Sequence, residues 1–185
     1  MLRSTGGLRK LQRGTAVALA AIGAPALPAL AQQPAPAHCA APEFSQLDFW
    51  TGDWEVNWRF ANGQSGTGRN RVVREYGGCV VVERFQDGTT DFAGTSIATF
   101  MPAAGSWAFT WMDNRATTFR AIGGPVENGA AFEFVIRQGN GEPAPYRIRF
   151  EEIGRDSLTW RFQSRGADGN WTDMTVSRYR RRPEA

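Results

Sequence analysis

From Asp53 onward, apolar and polar residues alternate in short segments, and this period of two limits the fold more than any other feature of the sequence. The apolar positions of the first segment are Trp54, Val56, Trp58 and Phe60. Alternation of this kind is typical of a β-strand with one buried face. The complete pattern predicts strands at 53–60, 67–75, 79–87, 92–101, 106–112, 116–123, 130–138, 144–152, 157–164 and 171–181.

The segments between these strands are short and rich in turn-forming residues, such as Gly77-Gly78, Asp87-Gly88 and Asn128-Gly129. None is long and periodic enough for a crossover helix, so the sheet is predicted to be antiparallel. An up-and-down barrel hides every strand edge and encloses the aromatic face. The sequence therefore predicts an all-β, about ten-stranded antiparallel barrel, with a two-sheet sandwich as the alternative.

One short helix is predicted before the first strand, over 42–50. Proline is tolerated in the first helical turn, and Phe44, Leu47 and Trp50 follow at intervals of three residues. Gly52 ends the segment. We expect these three side chains to plug one end of the barrel, so that a ligand would enter from the other end.

Residues 1–31 have the composition of an export signal. Three arginines and one lysine precede an apolar run, and Ala29-Leu30-Ala31 fits a cleavage site with small residues, with Ala35-Pro36-Ala37 as the alternative. The uninterrupted apolar run is shorter than the ~20 residues that a membrane-spanning helix needs. The sequence thus predicts a cleaved signal peptide and a periplasmic or secreted mature chain without an integral membrane span. This chain would consist of a flexible lead-in over 32–41 and one domain over 42–182.

Charge argues against nucleic acid as a partner. The predicted leader holds four of the 21 basic residues and none of the 18 acidic ones, so the remaining chain has 17 arginines against 18 acids, a net charge of −1. Binding to phosphates needs a concentrated positive face. We therefore predict no nucleic-acid partner.

The chain contains two cysteines, Cys39 and Cys79. In an oxidising compartment, two such residues most simply form a structural disulfide. The bond would tether the plug to the strand that begins at Cys79. Two unpaired buried thiols are the alternative.

Gly52-Asp53-Trp54, at the start of the first strand, resembles the Gly-x-Trp signature of the lipocalins. In that family the Trp lies at the closed end of the barrel, and an Arg from near the last strand packs over its ring. The resemblance implies structural roles for Gly52 and Trp54. It implies Arg178 or Arg180 as the stacking cation.

The order of motifs also resembles the DUF1579-type proteins, exported bacterial proteins of unknown function that are similar to calycins. Their opening element is Phe-x-Phe-Trp-x-Gly-x-Trp-like, and 47–54 here has Leu in place of its first Phe. The other shared elements are Gly68-Arg69-Asn70, Gly78-Cys79 with Glu83, Trp107 and Trp111 with Asp113, and Trp171 before Tyr179-Arg180-Arg181. The resemblance spans 39–182 and implies a calycin-like barrel without a particular activity.

The sequence carries no signature of metal, haem or nucleophile chemistry. Its one histidine, His38, precedes the barrel, and one His with two distant Cys cannot form the usual zinc sets. A catalytic triad would need a His within the barrel. The nitrobindin barrels are also ten-stranded, but they hold haem iron through a His near the C-terminal end, which this chain lacks. We therefore predict no metal site and no cofactor.

Glu83 lies in a strand of mostly apolar residues. If its face points into the barrel, the carboxyl must be paired or protonated, and Arg71 and Arg120 are the candidate partners. Such a pair could fix the polar end of a small ligand. The opposite orientation of the strand is slightly favoured. It buries Val80 and Val82 and leaves Glu83 in an exposed ion pair.

The aromatic face of the strands allows two interpretations, because its bulky rings could surround an open lumen or fill the barrel. Our main hypothesis is a non-enzymatic exported barrel that binds a small apolar or amphipathic molecule in its lumen or mouth. The predicted binding residues are Trp58, Arg71, Glu83, Phe109, Trp111 and Arg120. The alternatives are an isomerase- or cyclase-like barrel enzyme with Glu83 as acid or base, and a filled barrel that serves as an envelope interaction module.

Overall fold

The computed structural model describes residues 38–137, 139 and 141–183. The predicted signal peptide, 1–31, lies outside this part of the chain, as does the lead-in through residue 37. The strands are β1 (Gly52–Phe60), β2 (Ser65–Glu75), β3 (Val80–Asp87), β4 (Ala93–Met101), β5 (Ser106–Asp113), β6 (Thr118–Val126), β7 (Gly129–Arg137), β8 (Pro143–Glu151), β9 (Ser157–Arg165) and β10 (Trp171–Arg181). Short 3₁₀ segments lie at Pro42–Ser45, Asp48–Trp50 and Tyr76–Gly78. Among the described residues, no helix has the length and apolar character needed to cross a membrane.

The ten strands form one closed antiparallel barrel, in which strands adjacent in the chain are adjacent in the sheet. β1 closes the barrel by pairing with β10, so that Trp54 lies opposite Arg181 and Trp58 lies opposite Ser177. The predicted barrel is confirmed. The sandwich alternative is wrong, because pairing of the first and last strands leaves none of the described strands with a free edge.

The strand bounds depart from the prediction chiefly in β6, which spans Thr118–Val126 where 116–123 was expected. Ala116 has a positive φ of 60° and belongs to the preceding turn. At the other end, the strand was expected to stop at 123, before Gly124-Pro125. Pro125 instead pairs with Ala130 beside the next hairpin, and a position near a strand end tolerates proline.

The predicted helix before β1 is present as two consecutive 3₁₀ turns over 42–50. Its apolar residues recur every three positions, which suits a helix with three residues per turn. Phe44, Leu47 and Trp50 are all buried. The Trp50 ring packs against Phe150 of β8, with centroids 4.9 Å apart. Residues 42–50, called the plug below, close one end of the barrel as expected.

A disulfide between Cys39 and Cys79 joins the segment before the plug to the residue that precedes β3, with the Cα atoms 5.0 Å apart. The predicted bond is thereby confirmed. Arg74 adds a second link, because its guanidinium donates to the Asp48 carboxylate in the plug and to the Gly78 carbonyl.

Trp54 forms the floor above the plug. Its indole Nε1 donates to the Trp50 carbonyl at 2.8 Å, and the Arg181 guanidinium lies 4.1 Å from the centre of its ring. The stacking cation is therefore Arg181 and not Arg178 or Arg180, which are both exposed. Residues of β10 alternate between the two faces of the sheet, and Arg181 is the one in register with Trp54.

Gly52 leaves room for this arginine. A Cβ atom at Gly52 would lie 2.1 Å from Arg181 Nη1, and that nitrogen donates to the Thr51 carbonyl at 2.8 Å. The φ of Gly52, +134°, is also one that L-residues rarely adopt. The residues around Gly52 and Trp54 therefore provide both the space and a carbonyl acceptor for Arg181.

Candidate functional site

A cavity of about 250 Å³ lies in the barrel interior, in the half that is farther from the plug. Its lining comes mainly from the strand ends opposite the plug, and Phe60 at this end is 41% exposed. The aromatic lining residues are Trp58, Phe60, Phe85, Phe92, Phe109, Trp111, Phe119, Trp160, Phe162 and Tyr179. The remaining lining residues are Glu83, Asp87, Ile148, Thr175 and Ser177. The barrel is thus filled near the plug and hollow towards the other end.

Two inward glycines keep this cavity open. Gly66 lies opposite Trp58 in the β1–β2 pairing, and a Cβ atom there would lie 2.4 Å from Trp58 Cζ2. Likewise, a Cβ atom at Gly94 would lie 2.2 Å from Trp111 Cζ2. Both indoles therefore rest against bare backbone on the barrel wall. With any larger residue at these glycines, the rings would have to move into the lumen.

Glu83 is the acidic group in the inner half of the cavity, and only 4% of its surface is exposed. The Asn70 amide donates to Glu83 Oε1 at 2.6 Å, and the Ser96 hydroxyl donates to Oε2 at 2.6 Å. Burial raises the pKa of the Glu83 carboxyl from 4.5 to about 7, while the hydrogen bonds from Ser96 and Asn70 act in the opposite direction. Glu83 therefore changes its protonation state near neutral pH.

Asn70 connects Glu83 to Tyr179 of β10. Its Nδ2 also donates to the Tyr179 hydroxyl oxygen at 3.1 Å, while its buried Oδ1 has no partner among the described residues. Burial, and secondarily the charge of Glu83, raise the pKa of Tyr179 well above its ordinary value of 10. Tyr179 therefore stays neutral beside a carboxyl group that can ionise.

The structure brings four of the six predicted binding residues together. Trp58, Glu83, Phe109 and Trp111 all line the cavity. The slightly favoured outward orientation of Glu83 is wrong. The register places Glu83 opposite Ser96 on the inner face, where its hydrogen bonds to Ser96 and Asn70 offset part of the cost of burial.

Arg71 and Arg120 do not reach Glu83. Both are exposed, and the Arg71 guanidinium lies 4.0 Å from the Asp53 carboxylate on the outer face. Because side chains alternate between the two faces of a strand, the inward position next to Arg71 belongs to Asn70. Neither candidate arginine therefore pairs with the inward Glu83, and neutral side chains hold it instead.

Sequence reasoning missed the roles of Asn70, Ser96 and Tyr179. A polar residue at an inward position of a predicted strand could have signalled each of them. Their convergence on Glu83 depends on the register between β2, β3, β4 and β10, which no local pattern reveals. The two inward glycines were missed for the same reason.

Across the residues that the structure describes, no group of three or more His, Cys, Asp or Glu side chains is placed to hold a metal ion. Two carboxylates line the cavity, Glu83 and Asp87. Asp87 Oδ1 accepts hydrogen bonds from the backbone N–H groups of Thr89 and Thr90 at 2.6 and 3.0 Å. It therefore shapes the β3–β4 turn at the rim.

No protein-family model matches the chain, and no curated protein matches it either. The resemblance to the DUF1579-type proteins is therefore not confirmed. Among solved structures, the chain is similar to Rv2717c from M. tuberculosis, with a TM-score of 0.50 and 14% identity over 77% of this chain and 99% of that chain. This likeness shows a shared barrel fold.

The chain is also similar to two designed proteins. One is a redesigned β-barrel, with a TM-score of 0.41 and 10% identity over 75% of this chain and 96% of that chain. The other is a de novo designed fluorescence-activating β-barrel, with a TM-score of 0.41 and 15% identity over 75% of this chain and 97% of that chain.

Proposed function

We propose that this protein is an exported β-barrel that binds a small apolar or amphipathic molecule in its lumen. The observation that carries the proposal is the cavity of about 250 Å³, walled by aromatic rings and containing the Glu83 carboxyl. Mostly apolar pockets with a few well-placed polar groups are the usual form of small-molecule sites. A filled barrel acting only as an interaction module would not keep this space.

The size of the cavity limits the ligand. A cavity of about 150 Å³ holds one benzene molecule, so about 250 Å³ suits a molecule of roughly ten non-hydrogen atoms. The apolar body would contact the aromatic walls, and a polar group would face Glu83. The plug closes the opposite end, so the ligand would enter past Phe60 and Phe92.

Export rests on the composition of 1–31 together with the Cys39–Cys79 disulfide. Disulfides persist in oxidising compartments such as the periplasm or the cell exterior. On this proposal, 1–31 are removed, 32–41 form a lead-in tethered through Cys39, and 42–182 form the binding domain.

Filling the lumen should abolish binding of a neutral apolar probe. Thr175 lines the cavity from β10, and Thr175→Phe would place a ring in the space that the probe needs. We expect the Kd of naphthalene, measured by quenching of tryptophan fluorescence, to rise at least about tenfold, since the apolar area of the probe could no longer be buried.

The matched control is Thr172→Phe, because Thr172 is an exposed residue of the same strand. This variant should bind naphthalene like the unaltered protein. Absence of saturable naphthalene binding to the unaltered protein would refute the proposal, and so would equal binding by the Thr175→Phe variant.

A second candidate is an enzyme in which Glu83 acts as general base or acid. The observation that favours it is a buried carboxyl at the cavity with a pKa of about 7, close to the value at which a general base works best near neutral pH. A bound ketone with acidic α-protons would then exchange them with solvent. Its carbonyl oxygen could accept a hydrogen bond within the polar cluster around Glu83.

This candidate predicts exchange of the α-protons of 4-phenyl-2-butanone in D₂O, followed by NMR, at a rate that depends on Glu83. Glu83→Gln should slow the protein-dependent exchange at least about a hundredfold, in the range that general-base groups contribute. Exchange no faster than in buffer would exclude this ketone chemistry and leave a binding role.

A further inference from the structure

The charges around the cavity are all of one sign. Its lining contains the carboxyl groups of Glu83 and Asp87 and no arginine, lysine or histidine among the described residues. This separation is not a matter of composition, because 17 arginines follow the predicted leader. Those that flank the site, such as Arg71 and Arg120, are exposed on the outer face.

Glu83 is also left without a counter-ion. Each of its oxygens accepts one hydrogen bond from a neutral side chain, Asn70 or Ser96, and within the described part of the chain it forms no ion pair. A carboxylate oxygen has room for a second donor. An ionised carboxylate that is desolvated without an opposite charge is costly. A cation delivered by a ligand would supply both the charge and the donors.

The walls suit a cation as well as an apolar body. Rings of Trp58, Phe109 and Trp160 face the same space as Glu83, and the faces of aromatic rings attract ammonium groups, most strongly where water is excluded. An anionic ligand would meet two carboxyl groups and the negative faces of these rings. The lining therefore disfavours fatty acids and other carboxylates.

We propose that the lumen binds a small organic cation, namely an amine on an aromatic or aliphatic body of about ten non-hydrogen atoms, whose ammonium group pairs with the Glu83 carboxylate. This inference rests on the proposed lumenal binding and specifies its ligand class. The ammonium group donates to the free positions of Oε1 and Oε2, and the body fills the aromatic space towards the rim.

Three probes of similar size and different charge test the ligand class: 2-phenylethylamine, 2-phenylethanol and phenylacetate. By calorimetry at about pH 8, where the Glu83 carboxyl is mostly ionised, we expect the amine to bind at least about tenfold more tightly than the alcohol. This ratio corresponds to one charge-assisted hydrogen bond at a desolvated site. Phenylacetate should bind more weakly than the alcohol.

Glu83→Gln should remove the advantage of the amine over the alcohol, because the amide keeps the shape of the side chain but carries no charge. The matched control is Glu55→Gln, which removes an exposed carboxylate on β1 and should leave the ratio unchanged. If Glu83→Gln does not fold, the comparison of the three probes on the unaltered protein still tests whether the lumen prefers a cation.

The affinity for the amine should also depend on pH. The residues that hydrogen-bond or pack beside Glu83 are Asn70 from β2, Ser96 from β4 and Tyr179 from β10. Tyr179 is the titratable one, and its pKa lies well above 10; Asp87, nearer the rim, is the other acid of the cavity. Below about pH 7 the affinity for the amine should fall as Glu83 is protonated, by up to the advantage that the amine has over the alcohol at about pH 8, while the affinity for the alcohol stays level.

The outcomes separate the two proposals. If naphthalene or 2-phenylethanol binds in the lumen and the amine binds no more tightly, the ligand class is wrong and lumenal binding stands. If an amine advantage persists in Glu83→Gln, the assignment of Glu83 is wrong. If none of the probes binds, lumenal binding and the amine inference both fail.

Discussion

Glu83 shows how a single buried carboxyl is held without a charged partner. Transfer of a carboxylate from water to a protein interior is costly, and the protein lowers this cost with hydrogen bonds from Asn70 and Ser96. These bonds do not compensate fully, since the pKa remains raised to about 7. The residue is therefore maintained at a cost to stability, which is typical of functional groups.

The raised pKa of Glu83 should make the free energy of unfolding depend on pH. Between about pH 4.5 and pH 7 the unfolded chain loses the Glu83 proton while the folded protein keeps it, so stability falls as the pH rises. The loss from this group amounts to about 3 kcal/mol above pH 7. Glu83→Gln does not titrate, so its stability relative to the unaltered protein should rise by about this amount from pH 4.5 to pH 8 in urea unfolding. A difference that does not change with pH would contradict the raised pKa.

At the scale of secondary-structure elements, the plug is a short segment that depends on its attachments. Two 3₁₀ turns are too short to be stable alone. They are held by the burial of Phe44, Leu47 and Trp50 and by the Cys39–Cys79 disulfide. Closure of one end of the barrel therefore rests on tertiary contacts and one covalent bond.

Removal of the disulfide should destabilise the protein. The bond spans a sequence separation of 40, and the chain-entropy model gives about 3–4 kcal/mol for a loop of this length. We expect the double variant Cys39→Ser, Cys79→Ser to lose this much free energy of unfolding in a urea titration. The unaltered protein with a reductant serves as the control and should match the variant. Equal stability of the variant and the oxidised protein would show that the tether does not matter.

The whole barrel has two unlike ends. Near the plug the interior is packed with buried aromatic residues such as Trp54, Trp107 and Phe150, whereas the other end contains the cavity. On the outer surface, a polar network across β8, β9 and β10 links Arg161 to both Glu151 and Asp173. Closure of the sheet and this network support the hollow half, which has fewer internal contacts to hold it.

This asymmetry predicts a gradient of local stability. Opening should occur more readily at the hollow end, because fewer apolar contacts are lost there. Amide hydrogen exchange followed by NMR should be slower for Val56 and Phe132 than for Trp111 and Phe162. Addition of naphthalene should slow exchange mainly at the hollow end. Uniform protection along the strands, with and without naphthalene, would contradict the predicted gradient of local stability.

Much of the architecture could be predicted from local patterns. The period of two and the turn residues predicted ten antiparallel strands, and the spacing of Phe44, Leu47 and Trp50 predicted the plug. These features depend on residues close in the sequence. The departures, such as the extension of β6 past Gly124-Pro125, occur where pairing with a neighbouring strand overrode a local breaker.

The site could be predicted only in part. Trp58, Phe109 and Trp111 followed from the alternation, because aromatic residues on the apolar face must point inward in a barrel. The inward orientation of Glu83 did not follow from the sequence, since Val81 and Val82 are both buried and the local pattern fits either face of the strand. That Arg181 stacks on Trp54, and not Arg178 or Arg180, could be known only from the register between β1 and β10.

The sequence by itself determined the Gly-x-Trp start, the strands, their antiparallel order and part of the aromatic lining, namely Trp58, Phe109 and Trp111. Only the tertiary structure decided that the lumen is partly hollow, that Glu83 faces it, and that Asn70 and Ser96 rather than arginines hold it. The physical reason is that alternation along a strand is set locally by backbone geometry. Contacts across the barrel depend instead on the register of every strand pair and on the space that residues without a side chain, such as Gly66 and Gly94, leave for their neighbours.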